Sequence, residues 1–181
     1  MMYWFSIWEY VRYRMRAKGR HGTHSPLVYA LLDKGLRRSH KDVNSSEKYL
    51  NAQGMPYPSE IFLKRFTLHF GFSELRVWSD NGGWVRYNAK GNRARTPFQI
   101  FYELREFSSD KMSGVLKKLI EEAGPQEVIC LKGIHASKSA REHWQIAQEQ
   151  PQVSLSLDFF HYGFLFFTPA FKERQQFILL A

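Results

Sequence analysis

The feature that most constrains the fold of this chain is an alternation of strand-length apolar runs with helical segments. Residues 75–78, 98–102 and 128–131 are short apolar runs, and a segment with helical periodicity separates the second from the third. Residues 153–159 then alternate apolar and polar side chains, which is typical of a half-buried strand, and residues 163–167 supply its partner. Strands that alternate with helices and end in an antiparallel pair predict an α/β sheet covered by helices.

The N-terminal segment has a different character. Residues 3–15 are aromatic and basic, and Trp4, Ile7, Trp8 and Val11 recur at helical spacing, which indicates an amphipathic helix. Such a helix either packs its apolar side on the domain or serves as a membrane-surface or partner-binding element. The sequence leaves both roles open.

Several helix boundaries have recognisable signals. Ser25-Pro26 predicts a helix start, because serine can cap free amides and proline has no N–H to leave unpaired. Residues 59–71 predict a helix that ends at a glycine. Ser139 with Glu142 predicts a capping box at the start of a later helix.

Charge is concentrated at the N-terminus. The chain has 181 residues, which suits one domain with its own core, and a net charge of +9. Residues 1–41 hold nine Lys/Arg and two Asp/Glu, and therefore carry +7 of that charge. We predict a basic aromatic helical segment over residues 1–24 and an α/β domain over residues 25–181. The asymmetry indicates nucleic acid, an anionic membrane or an acidic partner, or simply a solvated basic face.

The single cysteine limits the chemistry of the chain. Cys130 excludes an internal disulfide and a multi-cysteine zinc site, and its apolar surroundings favour a small buried hydrophobe over a nucleophile. No apolar stretch approaches the ~18 residues that span a bilayer. The first residues are not typical of a signal peptide, because the basic side chains follow the apolar ones. These features predict a cytoplasmic protein.

Two residues near predicted strand ends are candidates for catalysis. His135 lies just past the carboxyl end of a predicted parallel strand, where open α/β sheets bind their ligands, and is the best-placed general base. Its alternative role is a hydrogen bond to a loop carbonyl. Glu103 and Arg105 follow the preceding strand, where they either line the same crevice or form a surface ion pair.

A glycine-containing stretch after the first strand is a candidate for ligand binding. Asp80, Gly82 and Gly83 occupy the place where a glycine turn that opens a helix would bind a phosphate or carboxylate. Residues 84–87 are strand-like instead. This context favours a plain hairpin turn.

Both ends of the chain resemble a family of bacterial class I S-adenosylmethionine-dependent methyltransferases. The resemblance covers AKGRHGTHSPLVYALL at residues 17–32 and, in pieces, GIHASKSAREHW, PQVSLSLDFFHYGFLFF and FKERQQF up to residue 177. His21 and His24 belong to the first motif. Two histidines with no acidic or cysteine ligand nearby make a poor metal site, and no metal is predicted.

The resemblance implies a reduced Rossmann-like sheet with flanking helices and a C-terminal antiparallel strand pair. It also implies a cofactor loop, Glu-Leu-Gly-x-x-x-Gly, in place of which this chain has Asp80-Asn81-Gly82-Gly83. After a later strand the resemblance implies the motif Asp-Asp-Ile-His, and this chain has Lys132-Gly133-Ile134-His135 there instead. Residues 84–97 are too short for the strands and helices that carry the family's ribose-binding acid.

The leading hypothesis is a methyltransferase-like protein with a degenerate S-adenosylmethionine site. It would act in binding or assembly, as a homo-oligomer or with a protein partner, through the N-terminal helix. The first alternative is an active S-adenosylmethionine-dependent methyltransferase with an atypical site. In that version His135 deprotonates the acceptor, Glu103 holds cofactor or substrate, and Asp80, Gly82 and Gly83 bind the cofactor.

The second alternative comes from the charge alone. A basic module would bind nucleic acid or an anionic membrane through the cations of the N-terminal segment, which are Arg12, Arg14, Arg16, Lys18 and Arg20.

Overall fold

The chain folds as an α/β protein with one mixed sheet between two layers of helices. The computed structural model describes residues 2–19, 24–36, 58–78, 84–88, 98–104 and 110–180, without the side chains of 2–6, 58–60, 87–88 and 110–113. The helices are α1 (Met2–Arg16), α2 (Pro26–Ala30, continued by a π-helical turn over Leu31–Gly35), α3 (Pro58–Phe70), α4 (Asp110–Glu122) and α5 (Lys138–Gln148). The strands are β1 (Glu74–Trp78), β2 (Trp84–Asn88), β3 (Ile100–Leu104), β4 (Glu127–Lys132), β5 (Leu155–Asp158), β6 (Tyr162–Phe166) and β7 (Gln175–Ile178).

The sheet order is β2-β1-β3-β4-β6-β5-β7. Strands β1, β3, β4, β5 and β7 run in one direction, and β2 and β6 run against them. The predicted α/β sheet and its antiparallel pair, β5 with β6, are therefore confirmed. Strand β7 was not predicted, because its residues do not alternate cleanly. The carboxyl ends of the five parallel strands share one side of the sheet, which we call the carboxyl edge.

Two apolar cores lie on opposite faces of the sheet. On one face α2 and α3 cover the sheet, and the ring of Phe66 stacks on Phe164 with 3.9 Å between centroids. On the other face α4 and α5 pack on the sheet through Ile120 and Trp144. Trp144 packs against Gly163, where an added Cβ would stand 2.7 Å from the indole ring. The sheet therefore needs glycine at that position for α5 to approach.

Two predicted helix caps differ from the structure in detail. Helix α2 begins at Pro26 as expected, but the buried Ser25 hydroxyl makes no hydrogen bond among the described residues. Helix α5 is capped by Ser137, whose Oγ accepts a hydrogen bond from the amide of Ala140 at 3.0 Å. The capping box at Ser139 was therefore wrong by two residues. A second serine just upstream has the extended backbone that a cap requires.

The N-terminal helix is present as predicted but presents its polar side to the domain. Glu9 and Tyr13 are buried, whereas Ile7, Trp8 and Val11 are exposed. The side chain of Trp4 lies outside the described part of the chain. Within the described ranges, no helix is both long and apolar enough to cross a membrane. Packing through the apolar side, one of the two expected roles, is therefore wrong for the described residues.

Candidate functional site

The carboxyl edge collects the described candidates for catalysis. His135 follows β4, Glu103 is the next-to-last residue of β3, and Asp158 is the last residue of β5. Gly133 has a φ of +79°, a backbone conformation that glycine adopts without a steric penalty, and its amide donates to the carbonyl of His161 at 2.7 Å. This turn directs the chain from β4 towards the end of β5.

The imidazole of His135 lies between two carboxylates. Its Nε2 is 2.8 Å from Oδ2 of Asp158, and its Nδ1 is 3.4 Å from Oε2 of Glu9 in α1. The ring stacks on Phe160 with centroids 5.2 Å apart and an angle of 6° between planes. Only 12% of the His135 side chain is exposed. The expected hydrogen bond to a loop carbonyl is thus replaced by a carboxylate contact.

Asp158 is buried, and its carboxylate accepts three hydrogen bonds. Besides the contact with His135, its Oδ2 accepts from the indole N–H of Trp144 at 3.2 Å, and its Oδ1 accepts from the amide of Phe160 at 2.9 Å. Phe160 has a φ of 66°, which is an unusual and strained conformation for a side chain of this size. The carboxylate holds this strained residue against the imidazole.

Glu9 connects α1 to the same cluster. It is 4% exposed, its Oε1 accepts a short hydrogen bond from the guanidinium of Arg141 in α5, and Nη1 of Arg12 lies 3.7 Å from the same oxygen. A buried carboxylate is tolerable only with such partners, because burial removes its hydration. Arg141 therefore fixes α1 through a single acidic side chain, and Nδ1 of His135 lies 3.4 Å from the same carboxylate.

Tyr13 is the second anchor of α1. Its hydroxyl donates a short hydrogen bond to the carbonyl of Leu179, and its ring packs on Phe160 with centroids 5.2 Å apart. Burial raises the pKa of Tyr13, and the negative charge of Asp158 raises it further. The phenol is therefore neutral and acts as a donor.

Five of these residues form one cluster around α1. We call Glu9, Tyr13, His135, Arg141 and Asp158 the α1 clamp. A histidine with a carboxylate on one nitrogen is the arrangement of an oriented general base, provided that its other nitrogen reaches a substrate. Here the other nitrogen faces Glu9. While α1 is docked, that nitrogen is buried.

Glu103 lies on the opposite face of the sheet from Asp158. It pairs with Val77 on β1 and Cys130 on β4, and paired residues of adjacent strands share a face. Cys130 belongs to the core under α2 and α3, whereas Asp158 contacts Trp144 on the other side. Glu103 is 4% exposed, and Arg105 lies outside the described residues, so an ion pair between the two stays a prediction.

Cys130 is a buried hydrophobe, as predicted. It has no exposed surface, and desolvation by burial raises the pKa of its thiol, with the negative charge of Glu103 as a second cause. A thiol that resists ionisation is a poor nucleophile. The interpretation of Cys130 as structural is therefore confirmed.

The candidates for cofactor binding lie outside the described residues. Asp80, Gly82 and Gly83 fall between β1 and β2, which pair antiparallel with Trp78 opposite Trp84. The hairpin interpretation of this region is confirmed by its two strands. A Rossmann-type cofactor loop passes from a strand into a helix, whose amides face the ligand. The described residues on both sides of this loop do not fit an S-adenosylmethionine site of that kind. The loop leads into strand β2, where such a site needs a helix.

The sequence interpretation missed four members of the α1 clamp. Asp158 is one of the polar residues of an alternating strand, a pattern that predicted an exposed side chain. Asp158 and Ser156 are nevertheless both buried. Glu9 offered a usable signal, since it is the only acidic residue of α1. Its partner Arg141 is 132 residues away along the chain, a separation at which local patterns carry no information.

The histidine motif does not extend this site in the described structure. His24 is exposed, and His21 and Arg20 lie outside the described residues. Among the residues that are described, no group of three or more His, Cys, Asp or Glu side chains is arranged to hold a metal ion. Neither a family model, nor a curated protein, nor a solved structure matches this chain.

Proposed function

We propose that this chain is a methyltransferase-like protein whose S-adenosylmethionine site has degenerated and whose role is binding. The topology supports this proposal. A mainly parallel sheet with helices on both faces and a late antiparallel strand is what the methyltransferase resemblance implies. The reduced Rossmann-like sheet begins with a hairpin where the cofactor loop is expected. The single buried cysteine supports a reducing, cytoplasmic location.

The observation that carries the proposal is the position of His135. The residue best placed for general base catalysis has Asp158 on one nitrogen and Glu9 on the other, at 2.8 and 3.4 Å. Glu9 comes from α1 and is itself held by Arg141. A catalytic base must reach the proton that it removes. In this arrangement Nδ1 of the histidine is instead buried beside a carboxylate of the docked helix.

An active methyltransferase with an atypical site is the second candidate. The short contact between His135 and Asp158 favours it, because a carboxylate on one imidazole nitrogen orients the other towards a substrate. In that case α1 would have to leave the carboxyl edge before the reaction. The two candidates therefore differ in whether the release of Glu9 should allow S-adenosylmethionine to bind.

The test is a calorimetric titration with S-adenosylmethionine and S-adenosylhomocysteine. The wild-type chain and Glu9→Gln, which weakens the attachment of α1, are compared with Glu121→Gln, a change of the same kind at an exposed position of α4. We expect no binding heat in any of the three. Micromolar binding, about −8 kcal/mol, by the wild type or by Glu9→Gln alone would favour the enzyme.

A further inference from the structure

The outward side of α1 is apolar. Ile7, Trp8, Val11 and Met15 are 57%, 64%, 41% and 73% exposed. At 3.6 residues per turn these four positions lie within an arc of about 100°. Scattered single apolar residues are ordinary on a protein surface, but a continuous stripe on one helix marks a contact surface.

The clamp fixes this orientation. Among the described side chains of α1, Glu9 and Tyr13 are the buried ones, held by Arg141 and by the carbonyl of Leu179. After the helix, the amide of Lys18 donates to the carbonyl of Ile178 at 2.8 Å, which attaches the chain to the edge strand β7. Rotation of α1 to bury its apolar stripe would expose a buried phenol and break the contacts of a buried carboxylate. The apolar stripe is therefore a property of the folded state.

Basic side chains lie on both sides of the stripe. Arg14 lies about 20° beyond one border and Arg12 about 40° beyond the other. Both are exposed, as are Arg16 and Lys18 at the end of the helix. Glu9, the only acidic residue of α1, points into the domain. The outward side of α1 thus combines apolar groups and positive charge with no carboxylate of its own.

We propose that α1 binds an anionic lipid bilayer through this side and lies in the plane of the lipid interface. Trp8 and the aliphatic side chains would enter the boundary between headgroups and acyl chains, and the arginines would extend to the phosphates. The charge of the helix complements that of an anionic leaflet. This inference names the partner in the proposed binding role and rests on that role.

Other occupants complement this surface less well. A second copy packed face to face would bring Arg12 and Arg14 near their own counterparts, and like charges at an interface are costly. Nucleic acid would pair with the arginines but leave Trp8 and Val11 without an apolar partner, because binding to its phosphates is mainly electrostatic. An anionic bilayer supplies both components over one continuous plane.

The experiment is co-sedimentation of the full chain with large vesicles. Vesicles of phosphatidylcholine containing phosphatidylglycerol are compared with vesicles of phosphatidylcholine alone. We expect at least about tenfold tighter binding to the anionic vesicles, weakened by added salt. Equal binding to both kinds of vesicle, or none to either, would overturn the proposal.

The apolar contribution has a matched control in the chain. Trp8→Ser with Val11→Ser should weaken binding to anionic vesicles at least about tenfold, because apolar area no longer enters the interface. Val85→Ser should leave binding unchanged, since Val85 is 39% exposed, much like Val11, but lies on β2 at the opposite edge of the sheet. Thermal unfolding of each variant checks that these exposed positions do not alter the fold. Equal effects of both changes would contradict the proposal.

The electrostatic contribution is tested in the same way. Arg14→Glu with Arg16→Glu should weaken binding about 30-fold or more. The control is Lys117→Glu with Lys118→Glu, two exposed cations of α4, which should have little effect. Dimerisation or RNA binding that is lost in the Trp8 and Val11 variant, without vesicle binding, would overturn the lipid assignment. The calorimetric titration is independent of these results, so failure of the lipid proposal and failure of the degenerate-site proposal can be told apart.

Discussion

Two polar clusters lie on the same face of the sheet, at opposite ends of its strands. The α1 clamp is at the carboxyl edge. At the amino ends of the strands, Nε of Arg76 donates to Glu74 at 2.6 Å, and Nη1 of Arg76 donates to the hydroxyl of Tyr102 at 2.8 Å. Tyr102 in turn donates to Glu127 at 3.0 Å. We call these four residues the amino-edge network. Both clusters use carboxylates, a guanidinium and a phenol.

The clusters differ in burial and in what they join. The side chains of Glu74 and Arg76 are 23% and 22% exposed, against 5% for Glu9 and Asp158. The amino-edge network joins adjacent strands, whereas the clamp joins α1 to distant parts of the chain. Water reaches the half-buried pair of Glu74 and Arg76 and screens it, so its contribution approaches that of a surface pair, about 0–1 kcal/mol. Removal of one partner from a buried pair costs about 3–5 kcal/mol, because the remaining charge is left without compensation.

The largest expected effect is the loss of a clamp carboxylate. Asp158→Ala should lower the free energy of unfolding by about 3–5 kcal/mol, because His135 and the indole of Trp144 lose their acceptor. Glu127→Ala, in the amino-edge network, should cost about 1 kcal/mol. Urea denaturation of both variants measures the difference. Equal losses would show that burial does not separate the two clusters.

A smaller effect is expected where α5 meets the sheet. Gly163→Ala places a methyl group against Trp144, where a Cβ would stand 2.7 Å from the ring, and should destabilise the protein by about 1–3 kcal/mol. The same change at Gly114 in α4 meets no atom within 4 Å and should stabilise the helix by about 0.5–1 kcal/mol. Thermal unfolding reports both. Destabilisation by the Gly114 change as well would contradict the packing explanation.

The smallest expected effect concerns alkaline pH. Burial raises the pKa of Tyr13, with Asp158 as the next cause, and raises the pKa of Tyr102 to about 12, with Glu127 as the next cause. An unfolded tyrosine ionises near pH ~10. Because the fold favours the neutral phenol, this stabilisation is complete below that pH and declines as the pH rises above it.

Ionisation of Tyr13 and ionisation of Tyr102 should weaken contacts in different parts of the fold. Above pH ~10, Tyr13→Phe should reduce the pH dependence of hydrogen-exchange protection in α1. Tyr102→Phe should leave α1 unaffected and change only the protection of β3 and its neighbours. If both changes altered α1 equally, the clamp would not be the element that holds the helix.

Local patterns predicted most of the fold. The helical period of Leu116 and Ile120, the alternation along β5, and the glycine that ends α3 each depend on neighbours a few residues away. The candidate site was predicted only in part. His135 was identified because a loop after a buried strand has a known place in α/β sheets, but none of its acidic partners was identified. Those partners come from α1 and β5, and only their packing brings them to the imidazole.

The sequence by itself determined where most of the helices and strands form, the buried state of Cys130 and the position of His135 at the carboxyl edge. Each of these follows from hydrophobic period and turn residues, which act over short distances. Only the tertiary structure decided which side of α1 faces inward. The apolar period favoured Ile7, Trp8 and Val11, but the hydrogen bond between Glu9 and Arg141 fixes the helix with that stripe outward. Without those contacts Glu9 would be a buried and unpaired charge, which costs about 3–5 kcal/mol, and its partners are known only when distant segments meet.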